Sequence, residues 1–266
     1  MIGAIIGDIV GSKYEFKNFK KKEFEMFEEG SSATDDTVMT LAVAESILEA
    51  DGDVEKLENI AVHNLKLFGR KYPYAGYGGR FNDWIVSDTL EPYNSLGNGA
   101  AMRISPVGYA ANSLEEVCLM SDAVTKVTHN HPSAMNAARA VASCIFLARQ
   151  GKSKDEIRAF VRAHYYPLDR TVDEIRPTYR FFVDCDNSVP EAIECFLEGE
   201  DFEDTLRNAV SLGGDSDTQA AIAGSIAEAY FKVPILLRGK AIMFLDEDSL
   251  DIVRRFENKY GNYTII

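Results

Sequence analysis

Apolar residues recur along most of this chain at three- and four-residue intervals, the signature of helices with one buried face. Val38, Leu41, Val43–Ala44 and Leu48 follow it. So do Leu57, Ile60–Ala61, Leu65 and Phe68 within residues 53–72, where Asp53 stands in N-cap position and Gly69 near the end. Residues 113–129 open on Ser113 with Glu116 three positions on, which predicts a capping box. Residues 132–151 start at proline and stop at glycine, as helices prefer. Further helices are predicted over 153–163, 189–198, 202–211, 217–231 and 246–258. Strand-like alternation is confined to short pieces such as YRFFVDC, 179–185. With no linker and no fixed-period repeat, the pattern predicts one compact, mainly α domain over residues 1–266.

Three glycine-rich stretches interrupt the helices: residues 72–81, 94–106 and 211–217. Non-periodic loops inside a compact domain carry function more often than the helices that hold them. Gly3, Gly7 and Gly11 lie four apart, and Ala220, Ala221, Ala223, Gly224 and Ala227 crowd a later segment, a spacing that predicts tight helix packing. The apolar start, MIGAIIGDIVGS, lacks a basic leader and is broken by Asp8, so it is expected to be neither signal peptide nor membrane span.

Composition narrows the classes. Apolar residues make up 46% of the chain, enough for a large core. Lysine and arginine number 28 against 42 acids, a net charge of −14, which disfavours extended nucleic-acid binding. Cys118, Cys144, Cys185 and Cys195 form no C-x-x-C pair and are expected to be reduced and mostly buried, pointing to the cytoplasm. A monomer is the default expectation.

Two acidic phrases carry the candidate chemistry: TDDT at 34–37 and GGDSDT at 213–218. Helix capping is the plain account of each, since Asp and Thr accept from the free N–H groups of a first turn. Yet one or two side chains cap a turn, and Asp35 and Asp36 diverge by about 100° on a helix. They therefore suit two cations, or two sides of one. Thr and Asp oxygens favour magnesium, manganese or calcium over zinc. Two such helix starts can assemble a site with two ions about 3.5–4 Å apart. A D-x-D-T phosphatase is a competing reading, but that class places its Asp after an N-terminal strand, and DSDT lies late, between helices.

Five phrases in order, GAIIGDIVGSKYEF (3–16), TDDT (34–37), GNGAAMRISPVG (97–108), THNHP (128–132) and GGDSDTQAAIAG (213–224), resemble the ADP-ribosylglycohydrolase family. The resemblance implies an all-α bundle with two Mg2+ or Mn2+ ions at its centre, hydrolysing the glycosidic bond between ADP-ribose and an acceptor. It implies Thr34, Asp35, Asp36, Asp215, Asp217 and Thr218 as metal ligands, and Glu15 as a mobile acid at the scissile bond. Whether Glu15, Asp35 or Asp217 moves the proton stays open. Asn98, Gly99, Ala100 and Met102 match the loop around the diphosphate and ribose, where glycine allows close backbone approach. Arg103 is either a phosphate contact or a structural salt bridge. Of His129 and His131, one is expected to face the nucleotide. Tyr74, Tyr77, Gly78, Gly79, Arg80 and Asp83 match the acceptor side, whose chemistry the resemblance does not choose among arginine, serine, a base or O-acetyl-ADP-ribose. A catalytically weak ADP-ribose-binding module of the same fold is the alternative.

Overall fold

The computed structural model describes residues 1–261. Fifteen α-helices follow one another: α1 Ile2–Ser12, α2 Asp35–Ala50, α3 Val54–Lys71, α4 Gly79–Val86, α5 Gly99–Met102, α6 Ser105–Ala110, α7 Leu114–Thr125, α8 Pro132–Arg149, α9 Lys154–His164, α10 Val172–Ile175, α11 Val189–Glu198, α12 Phe202–Val210, α13 Ser216–Phe231, α14 Ile235–Ala241 and α15 Glu247–Tyr260. No sheet forms among the described residues; one isolated bridge pairs Gly97 with Asp184. None of the described helices is long and apolar enough to cross a membrane.

The centre is an antiparallel pair, α1 against α13, each buried on every side over most of its length. Glycines make this possible. A Cβ on Gly7 would stand 2.6 Å from Ala221 N and closer still to the Ala220 carbonyl. On Gly11 it would stand 2.5 Å from Asp217 Cα, and on Gly3 2.7 Å from Glu228 Cβ. The two backbones therefore touch at every turn, in a register that sets Asp8 and Gly11 beside the start of α13. The Met1 ammonium and Gly3 N–H both donate to Glu228 Oε2, at 2.5 and 2.8 Å, closing the far end. Around this pair pack α2, α5, α8, α11 and α12, with α3, α6 and α15 backing α2.

Most predicted helices form, with ends displaced by a residue or two, except that 113–129 stops at Thr125. The differences are local. Ser113 Oγ accepts from Glu116 N, but the Glu116 carboxylate reaches past the cap to Asn112 N at 2.7 Å, so the capping box is incomplete. The alternating segment 179–185 is not a strand: with only Asn98 N–H···O Val183 and Cys185 N–H···O Leu96 to pair it, no ladder develops. Within 72–81 and 94–106, expected as loops, α4 begins and α5 and α6 form. Phe81, Trp84 and Ile85 bury in the core and override the poor local propensity. Cys144, Cys185 and Cys195 are buried free thiols, and Cys118 is half-buried.

Candidate active site

Both acidic phrases fold as helix starts, and capping explains little of them. Thr34 is the N-cap of α2, its Oγ1 accepting from Asp36 N at 3.4 Å. Asp35 and Asp36 follow as the first two helical residues, with side chains free of any capping bond to this helix. At the start of α13, Asp215 holds the cap position without a side-chain cap bond. Asp217 Oδ1 accepts from Thr218 N at 2.9 Å. Thr218 Oγ1 crosses to α2, donating to Asp36 Oδ2 at 3.2 Å.

A fifth acid joins from α1. Asp8, fully buried, accepts from Thr34 N (2.9 Å), Thr34 Oγ1 (2.6 Å), Thr37 N (3.0 Å) and Thr37 Oγ1. It ties the first turn of α2 to the central helix pair. In sequence Asp8 shows only as a break in an apolar run, and a charged residue between glycines in such a run is the signal of its role.

Carboxylate oxygens of Asp8, Asp36 and Asp217 lie within 4.8 Å of one another, as do those of Glu15, Asp215 and Asp217. Asp217 belongs to both groups and is the hinge of the constellation. Asp35 stands beside them with one oxygen near Gly76, its backbone N–H bonded to Ala75 O at 2.8 Å. Asn98 Nδ2 donates to Asp215 Oδ2 at 2.7 Å. Among the described residues, no lysine or arginine forms an ion pair with any of these six acids. The consequence is electrostatic. Burial first, then neighbouring carboxylates, pushes Asp35 and Glu15 up to about 8 and Asp36 and Asp217 well above the usual range. Asp215 is pushed up to about 6 by burial, against the bond from Asn98. Asp36 Oδ1 is buried with no hydrogen-bond partner. Converging oxygens, an unpartnered buried one and no internal counter-charge fit hard divalent cations.

Glu15, Asp35, Asp36, Asp215 and Asp217 line a cavity of about 380 Å³ whose wall also carries Arg80, Arg103 and His129. Asn98, Gly99 and Met102 form one wall, with Gly97 and Ser95 beside them. A larger groove of about 760 Å³ between α3 and residues 87–92 shares no residue with this cavity, and chemistry rather than size singles out the smaller one. Arg103 is buried and forms no ion pair, so it is not a structural salt bridge. Its Nη2 donates to Thr128 Oγ1 at 2.7 Å, and burial lowers it to about 10. Since Arg103 can only donate, the Thr128 hydroxyl proton is free for His129 Nδ1, 2.7 Å away. His129 is held neutral by burial and by Arg103 and Arg80. Its Nε2 carries the proton and faces Gly97 and Gly99.

Several expected residues lie elsewhere. His131 is not in the cavity wall; it caps α8, Nδ1 accepting from Ser133 N at 3.2 Å. Ala100 is buried behind the wall. Gly78, Gly79 and Arg80 line the cavity, Arg80 lying over the Tyr93 ring. Tyr74 is 98% exposed and faces a different groove, Asp83 borders a separate depression, and Tyr77 packs on Phe81. Phe16 and Phe181, stacked at 5.4 Å, stand at the rim and were not anticipated.

A sequence model of the ADP-ribosylglycohydrolase family matches residues 1–237. Human ADP-ribosylhydrolase ARH3 is 26% identical over an alignment covering 87% of this chain and 84% of that protein. ADP-ribosylarginine hydrolase Tri1 of Pseudomonas putida (strain GB-1) is 24% identical, covering 88% and 70%. A solved structure described as an ADP-ribosylglycohydrolase-related protein complex superposes with a TM-score of 0.71 at 24% identity, over 97% of this chain and 95% of that one, and shares the fold. The chain belongs to the ADP-ribosylglycohydrolase family and is a hydrolase of ADP-ribose linkages.

Proposed function

We propose that this protein hydrolyses the bond between the ribose anomeric carbon of ADP-ribose and an acceptor, with two Mg2+ or Mn2+ ions held by Thr34, Asp35, Asp36, Asp215, Asp217 and Thr218. The observation that carries the reading is a cavity lined by Glu15, Asp35, Asp36, Asp215 and Asp217, none of them in an ion pair among the described residues, together with Arg80 and Arg103. Ions bound there supply Lewis acidity toward the ribose hydroxyls and lower the pKa of water.

The chain's own groups do the rest. Asp8 fixes the α2 turn through four hydrogen bonds, so Asp35 and Asp36 keep their aim. Asn98 orients Asp215 and opens the wall whose glycines admit a diphosphate close to the backbone. The His129 Nε2–H and the Arg80 and Arg103 charges face that same region. We assign the proton transfer to Glu15, half-buried and carried by a turn rather than a helix. Water adds its oxygen to the anomeric carbon, the bond to the acceptor breaks, and the acceptor leaves with the proton. All six ligand positions are present, which favours an enzyme over a binding module.

Release of ADP-ribose from arginine-, serine- and DNA-linked substrates, measured side by side with Mg2+, Mn2+ or EDTA, tests the reading. Turnover on at least one substrate should vanish in EDTA and in Asp217→Ala. Equal turnover with EDTA, or an active Asp217→Ala protein, would refute it.

A further inference from the structure

Helix α14 and the turn after it, Ile242–Phe244, present an apolar stripe to solvent. Leu237 and Ala241 point inward and are buried, whereas Ile235, Leu236 and Met243 are 82, 79 and 83% exposed. Ile235 with Ile242, and Leu236 with Met243, are seven apart and share one side of the helix. Gly239 lies between them with open space in front of it, so another backbone can come close. Adjoining the stripe through Phe244 is a groove of about 400 Å³, lined by Val38, Leu41, Tyr74 and Leu245. Protruding apolar side chains and an apolar groove thus occupy the same face.

The charges along this face are ordered. Lys232, just before α14, and Lys240, within it, are exposed; Asp246, Glu247 and Asp248 follow the apolar segment, Asp246 capping α15 and bonded to Tyr72, Asp248 paired with Lys71 at 2.5 Å, and Glu247 in no ion pair among the described residues. An anionic membrane would meet those three acids at close range, which disfavours it. A copy of the same face turned by a twofold axis instead sets basic end against acidic end twice over, as an isologous contact requires. We propose that this face is a twofold interface between two copies of this chain, the apolar stripe of each seated in the groove of the other. The groove's rim, Pro73–Ala75, also accepts the Asp35 N–H, so the contact would brace the turn beside the acids.

Sedimentation velocity on the full chain, from micromolar to submillimolar concentration, tests this. A reversible dimer is expected. Leu236→Glu and Met243→Glu should each weaken it by at least about tenfold while leaving the melting curve of the monomer in place. Lys240→Glu and Glu247→Lys should each weaken it, and the double exchange should restore it. A monomer throughout the range would overturn the proposal, as would a dimer indifferent to Leu236→Glu and Met243→Glu. So would a monomer that binds anionic vesicles or a different protein through these residues.

Discussion

Replacing Gly7 with alanine probes the contact on which the whole site rests. The added methyl would begin 2.6 Å from Ala221 N and nearer to the Ala220 carbonyl, where ordinary contact starts at 3.4 Å. The obstacle is backbone, which cannot rotate aside, so α1 and α13 must part by about 1 Å. Overpacking of this kind costs up to about 3 kcal/mol, offset by about 1 kcal/mol from alanine's helix preference. A net loss of about 2 kcal/mol lowers the melting temperature by about 4–8 °C for a chain of this size. Separation also moves Asp8 away from Asp217, and a misplacement of about 1 Å can cost about a hundredfold in rate. Gly3→Ala meets a comparable obstruction one turn farther from the acids and should destabilise without a comparable loss of turnover. Differential scanning calorimetry and ADP-ribose release, run on both variants, check this. A Gly7→Ala protein that melts and turns over like the parent would refute the backbone contact as the scaffold of the site.

Asp36→Asn removes a buried carboxyl whose ionisation burial and the neighbouring carboxylates oppose. In EDTA it should melt about 2–8 °C above the parent, while in Mn2+ it should lose turnover by about a hundredfold or more. A lower melting temperature in EDTA would contradict the electrostatic account. The pH dependence follows from the same groups. Burial and mutual repulsion raise Asp35 to about 8 and Asp215 to about 6 in the folded protein, against 3.8 as the ordinary value. Their stabilising contribution is complete below about pH 4 and is lost as pH rises through 6 to 8. His129, buried neutral, acts oppositely, losing stability as pH falls below its ordinary 6.5. The difference in melting temperature between metal-saturated and metal-free protein cancels the His129 contribution, and it should widen steadily from pH 5 to pH 8. A gap that is constant or narrows over that range would count against it.

The amphipathic helices were legible because half-buried helices alternate on a 3.6-residue period, as Leu57, Ala61, Leu65 and Phe68 do in α3. Helix α1 was less so: Ile2–Gly11 is buried on all sides and offers no polar side chain beyond Asp8, leaving its glycine spacing as the signal. Its glycines announced tight packing without naming the partner, since register between segments some two hundred residues apart leaves no local trace. The same blindness hid Asp8. Nothing near it in sequence donates to it; Thr34 and Thr37 arrive only when α2 folds against α1. His131 shows the converse, a residue attached to a site by its neighbourhood in the chain although local geometry makes it a cap. Within 94–106, sequence could mark glycine and asparagine as permissive, but α5 exists because Ala100 and Ala101 are buried against α8 and α13.

The acid cluster and the glycine contact explain each other. Six carboxylates drawn together without a counter-charge repel, and a site held by side chains alone would relax by letting them swing apart. Here the restraint is close-packed backbone, with hydrogen bonds between the helices that bear the acids. Gly11 seats α1 on the first turn of α13, Asp8 grips the first turn of α2 through both threonines, and Thr218 crosses to Asp36. The aspartates are thus fixed by elements that cannot yield without unpacking the core, while Glu15 rides on a turn. Folding stores the repulsion, and a cation that enters recovers it as binding free energy. That arrangement requires the site to be assembled before the metal arrives, so removing the metal should loosen the molecule by degrees in melting temperature and leave its helices in place.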